Sequence, residues 1–132
     1  MSDKGPQNEA AELVRWTYSG DEWRNFIRWK QRRKGFLHYL LHRLSASHWP
    51  QAPEITIGQG RVSIGNDQES FFNENRQLKR VNIHDAGKVN VLEIAYQRND
   101  LQHTGPAEIL IPVPKGKLKE AIQLQEKLSA GL

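Results

Sequence analysis

Five histidines are the first residues to consider for metal binding or acid–base catalysis. His38 and His42 are four residues apart, so on a helix both imidazoles could reach one metal ion. A zinc site needs at least a third protein ligand, and none stands beside this pair. His48, His84 and His103 are too scattered along the chain to supply one. We therefore predict that the protein holds no metal ion and no cofactor.

Carboxylates give no stronger indication of catalysis. Glu93 and Glu108 fall in two stretches of strand-forming residues and could face each other across a sheet, but we expect both to be ordinary surface charges. Nucleotide-binding glycine motifs and the serine-nucleophile motif are missing from the sequence. We predict that the protein is not an enzyme, and only a deep pocket lined by His84, Glu93 and His103 would favour the opposite interpretation.

Positive charge is concentrated in one segment, and this segment is the best candidate for a binding function. Residues 15–43 carry eight basic and two acidic side chains, whereas the rest of the chain carries eleven and thirteen. An anionic partner would therefore bind here first. The candidate binding residues are Arg24, Arg28, Trp29, Lys30, Arg32, Arg33 and Lys34.

The sequence predicts that this segment is a long helix over residues 20–44. Ser19 and Glu22 form a capping-box pattern at its start. Its apolar residues lie on one stripe, but Lys30, Arg33 and Lys34 interrupt that stripe. Because three cations cannot be buried without partners, the middle turns project into solvent, the helix bends near its glycine, or an acidic partner covers them.

Three kinds of acidic partner remain open. Arg24, Arg28 and Arg32 form a second charged line at four-residue intervals, and Trp29 could stack on a base, which would suit nucleic acid. A basic segment with tryptophan also suits an anionic membrane surface. Alternatively, the long helix forms a homodimer in which acidic residues of a neighbouring chain face the interrupting cations.

A proline-rich corner near the end of the chain predicts how the fold closes. Pro112 and Pro114 cannot donate ladder hydrogen bonds, so the last strand ends near them or runs along a sheet edge. A helix over residues 115–128 follows, and its stripe of Leu118, Ala121, Ile122, Gln125 and Leu128 should cover the sheet. Lys115, Gly116 and Lys117 crowd its first turn, where backbone N–H groups could receive a phosphate or carboxylate.

Between the two helices the sequence alternates short strands and turns. We predict an α+β fold with about five to seven antiparallel strands in a bent sheet or open barrel, closed by the C-terminal helix. Residues 1–12 read as a disordered leader and 13–132 as one domain. No run approaches the ~18–20 apolar residues of a membrane span, and there is no cysteine. We therefore expect a cytoplasmic protein with no integral membrane segment.

This arrangement resembles a group of bacterial pleckstrin-homology-like (PH-like) proteins. Asp21-Glu-Trp-Arg-Asn-Phe26 resembles the start of their first helix, and Ile111-Pro-Val-Pro-Lys-Gly-Lys-Leu-Lys-Glu-Ala121 resembles their closing corner. Members of that group carry a membrane hairpin after the first helix, which this chain lacks between Leu44 and Glu54. The resemblance implies a lipid-, peptide- or self-binding module and supplies no catalytic residues. We expect a non-enzymatic interaction module, with a homo-oligomerisation domain or a nucleic-acid-binding protein as alternatives.

Overall fold

The computed structural model describes residues 12–32, 52–101 and 103–132. Within these ranges the chain forms two helices and seven strands, an α+β arrangement. In chain order they are β1 (Glu12–Trp16), α1 (Gly20–Arg32), β2 (Ile55–Gly58), β3 (Arg61–Ile64), β4 (Asp67–Ser70), β5 (Arg76–Asp85), β6 (Asn90–Asn99), β7 (Thr104–Val113) and α2 (Leu118–Ser129). Glu12, predicted to end the leader, instead opens β1; residues 1–11 lie outside the described ranges.

The strands form two antiparallel sheets that do not close into a barrel across the described residues. One sheet has the order β1-β2-β3-β4 and the other β5-β6-β7. Short turns link β2 to β3, β3 to β4, β5 to β6 and β6 to β7, whereas α1 and the residues after it separate β1 from its partner β2. Tyr96 on β6 donates a hydrogen bond of 2.6 Å to Glu69 on β4. The two sheets therefore pack face to face, with the apolar core between them.

Strand β6 is covered on both faces. Residues 91–96 are all buried, and successive side chains of a strand point to opposite faces. Leu92 and Ile94 share with Tyr96 the face that meets the four-stranded sheet. Glu93 lies on the other face, which α1 covers: Tyr18 just before α1 donates to the carbonyl of Pro112 at 2.8 Å.

Helix α1 begins where the capping box predicts. Ser19 Oγ accepts from the Glu22 amide at 3.1 Å, and Glu22 Oε1 accepts from the Ser19 amide at 2.8 Å. Trp23 and Phe26 are buried against the three-stranded sheet. The helix is short, Gly20–Arg32, rather than the long helix predicted over 20–44. Residues 33–44 of that prediction lie outside the described residues, as do His38, His42 and His48.

At the C-terminal corner the last strand follows the edge-strand alternative of its prediction, whereas the helix begins later than predicted. Pairing with β6 continues through Pro112 to Val113, because β7 is the edge strand of its sheet. Helix α2 begins at Leu118 rather than at residue 115, since Gly116 adopts a positive φ of 85° that a helix cannot contain.

The apolar stripe of α2 is also rotated from the predicted one. Ala121, Leu124 and Leu128 are buried, whereas Leu118 and Ile122 are 42% and 41% exposed. The side-chain amide of Gln125 donates a hydrogen bond of 2.8 Å to the backbone carbonyl of Val81 on β5. The helix therefore closes the sandwich as predicted, but through a neighbouring set of side chains.

Candidate anion-binding surface and charge cluster

The outward face of α1 carries Arg24, Arg28 and Arg32, which we call the arginine ridge. All three are exposed, and their four-residue spacing places them about 6 Å apart along the helix. Arg24 forms an ion pair with Asp21, and both side chains are largely solvated. Among the described residues, no carboxylate pairs with Arg28 or Arg32. Two guanidinium groups are therefore available to an anion from outside.

Lys30 lies on the opposite face of α1 and is completely buried, which corrects its predicted place on the binding surface. Its position follows from helical periodicity, because it shares one arc with Trp23 and Phe26. The Lys30 Nζ stands 5.2 Å from the centroid of the Phe26 ring and makes no hydrogen bond. Arg33 and Lys34, the other two cations predicted to interrupt the stripe, lie outside the described residues.

Beneath Lys30 the sheet presents a charge cluster, defined here as Lys30, Arg80, His84, Glu93 and Glu108. Glu93 and Glu108 are buried, 3% and 7% exposed, rather than being the surface charges expected from sequence. They lie diagonally from each other on one face of β6 and β7.

The rim of the cluster supplies two partners to Glu93. His84 Nε2 is 2.7 Å from Glu93 Oε1, and Arg80 contacts Glu93 Oε2 at 3.4 Å. Burial alone would raise the pKa of Glu93, but the interactions with Glu108 and His84 and the charge of Arg80 lower it overall. Glu93 is therefore held as a carboxylate.

Lys30 is the least compensated member of the cluster. Burial lowers its pKa to about 8, and the opposing attraction of Glu108 recovers only part of the shift. The cost of removing the ammonium from water thus exceeds the Coulombic gain, as is common for buried ions. The charge of Lys30 therefore destabilises the packing of α1 on the sheet, and the buried aromatic side chains of α1 must offset that destabilisation.

This burial gives folding stability a defined pH dependence. The pKa of Lys30 is about 8 in the folded chain and has its ordinary value of 10.5 in the unfolded chain. Between these two pH values, the unfolded chain retains a proton that folded Lys30 has lost. Stability therefore rises with pH in this window, by on the order of 2 kcal/mol between pH 8 and pH 10. We expect urea denaturation of the parent chain to show this rise relative to Lys30→Met. Burial raises the pKa of Tyr96, so its contribution to folding stability falls only above pH 10. Tyr96 is present in both chains and does not affect the comparison. Parallel profiles for the two chains would contradict the assignment.

Trp29 flanks the cluster and is only half-buried. Its ring lies 6.4 Å from that of Phe26 and 6.5 Å from that of His84, measured between centroids. The contact with His84 places the β5 edge of the sheet directly beside α1. Trp29 therefore belongs to the side of α1 rather than to the outward arginine ridge.

The predicted anion site at Lys115, Gly116 and Lys117 lies beside the start of α1. Glu22 Oε2 accepts a hydrogen bond of 2.5 Å from the backbone amide of Lys115. The backbone donor predicted to receive an anion thus binds a carboxylate of the same chain. The lysines remain exposed on an open cleft of about 1020 Å³, whose lining also includes Lys88. Whether this cleft receives an external anion stays a prediction.

The three residues considered for a catalytic pocket do not come together. His84 contacts Glu93, but His103 lies in the turn after β6, at the other end of the sheet. His84 pairs with Val91, and the eight residues from there to Asn99 span roughly 26 Å. In the described part of the chain, no group of three or more His, Asp or Glu side chains is placed to hold a metal ion.

Comparison of the chain with protein-family models, with curated proteins and with solved structures gave no match. Neither α1 nor α2, the helices of the described ranges, is long and apolar enough to cross a membrane.

Proposed function

We propose that the protein is a non-enzymatic, cytoplasmic PH-like interaction module that binds an anionic macromolecule through the arginine ridge. The fold supports this proposal: four-stranded and three-stranded antiparallel sheets followed by a C-terminal helix suit a PH-like arrangement. Helix α1 is then an insertion between β1 and β2. Because a fold alone does not select a function, the proposal depends on the surface that this insertion presents.

The main support for this proposal is the contrast between the two faces of α1. Its inner face is fixed by Trp23, Phe26 and Lys30, all buried. Its outer face presents Arg28 and Arg32 to solvent without an acidic partner among the described residues. A rigid helix that displays arginines at regular intervals is preorganised for phosphate or carboxylate groups.

The homodimer hypothesis has less support from this geometry. It requires acidic residues of a neighbouring chain to compensate the cations that interrupt the apolar stripe. Lys30 instead faces Glu108 of its own chain, which removes one of those cations from the interface.

Charge reversal of the ridge tests the proposal. We expect Arg28→Glu combined with Arg32→Glu to weaken binding to anionic vesicles, oligonucleotides or polyglutamate by on the order of 100-fold at low salt, because each arginine contributes about 1–2 kcal/mol to an anion contact. The matched control is Arg61→Glu with Lys127→Glu, which makes the same charge change at exposed positions outside α1 and β5. Equal loss in both double variants would show only non-specific attraction, and no loss in the ridge variant would refute the proposal.

A further inference from the structure

The arginine ridge continues into a crease between α1 and β5. The Trp29–His84 ring contact of 6.5 Å joins the two elements at this point. Arg80 and His84 are four residues apart in a regular part of β5. Because successive side chains of a strand point to opposite faces, both lie on the same face. The crease is therefore bounded by Arg32 on the helix and by Arg80 on the strand, with the two rings between them.

The side chains of this crease are accessible to a ligand. The Arg80 side chain is 59% exposed and that of His84 is 38% exposed. Glu93, which contacts both, is only 5% exposed and lies beneath them. Its carboxylate orients the two side chains from below and presents little negative charge to solvent. The accessible surface thus combines cationic groups with a half-exposed aromatic ring.

The composition of the crease argues against a membrane partner. Helices that bind a bilayer surface insert large apolar side chains into it. The exposed large hydrophobic residues of the described ranges lie elsewhere: they are Phe72, Leu101, Leu118, Ile122 and Leu132. Neither α1 nor β5 contributes one of them, so an anion bound here would not be a lipid headgroup held by insertion.

We propose that the anionic partner of this module is a single-stranded nucleic acid, bound along the ridge and the crease. Arg28, Arg32 and Arg80 contact successive phosphates, and a base stacks on His84, which Trp29 supports from the side. Arginine-lined grooves with aromatic stacking positions are the general means of binding single strands. This inference depends on the proposed function and specifies its ligand class.

A comparison of single and double strands distinguishes stacking from simple charge attraction. Duplex DNA has the higher charge density, so a purely electrostatic surface prefers it. We expect fluorescence anisotropy to show about tenfold tighter binding of a labelled oligothymidine of about 12 nucleotides than of a duplex of equal length. Arg80→Glu should weaken this binding about tenfold and reduce the salt slope by about 0.7. Lys127→Glu, an equal charge change at an exposed position of α2, should leave both nearly unchanged.

Two further variants separate a loss of binding from a loss of folding, and base stacking from charge attraction. Arg80→Gln avoids placing a new acid beside Glu93 and should still lose most of the effect, while urea denaturation confirms that each chain is folded. His84→Ala should remove the preference for single strands while the salt slope is retained. Preference for the duplex, for polyglutamate or for phosphatidylserine vesicles would overturn this inference. If those probes still depend on Arg28 and Arg32, the proposed function survives; if no probe depends on them, it fails as well.

Discussion

Replacing Glu108 with alanine should lower the free energy of unfolding by about 3–5 kcal/mol, measured by urea denaturation at neutral pH. Glu108 provides the counter-charge for the buried ammonium of Lys30 and lies diagonally beside Glu93 on the same face of the sheet. Its loss leaves one buried cation uncompensated. Glu126→Ala, the same change at an exposed position of α2, should alter stability by less than about 0.5 kcal/mol.

Substitution of the other partner should have the opposite sign. Lys30 makes no hydrogen bond, and its lowered pKa shows that the charged form is disfavoured in place. Lys30→Met keeps the length of the side chain and removes the desolvated charge, so we expect it to stabilise the protein by about 1–4 kcal/mol. Combined with Glu108→Ala, it should recover part of the loss. A chain destabilised by Lys30→Met as strongly as by Glu108→Ala would show that the pair contributes net stability.

Phe26→Ala is the second large expected effect, a loss of about 3–5 kcal/mol. Phe26 is fully buried, with Trp23 at 5.3 Å and Trp29 at 6.4 Å between ring centroids. Its ring centroid also lies 5.2 Å from the Lys30 Nζ. The cavity would therefore weaken the aromatic packing and remove the cation–π stabilisation together.

Hydrogen exchange would show where this loss falls. If α1 is an element added to an otherwise complete sandwich, the amides of Gly20–Arg32 should lose protection more than those of β6 in the Phe26→Ala chain. Gln31→Ala, at an exposed position of the same helix, serves as the control. Uniform loss of protection across the chain would instead mean that α1 and the sheets unfold as a single unit.

Local patterns in the sequence predicted the fold class and several element boundaries but not the charge cluster. The capping box gave the start of α1, and strand alternation gave the hairpin joining β2 and β3. Burial of Lys30 depends on Glu108, which is far along the chain and on a different kind of element. Glu93 and Glu108 each interrupt an apolar strand, and this interruption was the available indication that both are internal.

The same limit applies to the closing corner. The second oxygen of Glu22 bonds to the amide of Lys115, 93 positions away. The capping pattern explains why a glutamate stands there, since it caps the helix locally. Its second hydrogen bond joins the start of α1 to the turn that precedes α2. Neither segment alone predicts this bond.

The prolines of β7 have a consequence for behaviour at high concentration. β7 is an edge strand, and its pairing with β6 passes through Pro106 and Pro112 without a shift in register. Their missing N–H groups therefore fall on the outward side of the strand. A strand from another molecule that approached this edge would find two donors absent from the row it needs. Tyr18 already occupies the carbonyl of Pro112, and the missing donors make the rest of this edge a poor template for an intermolecular sheet, the first step toward fibrous aggregation.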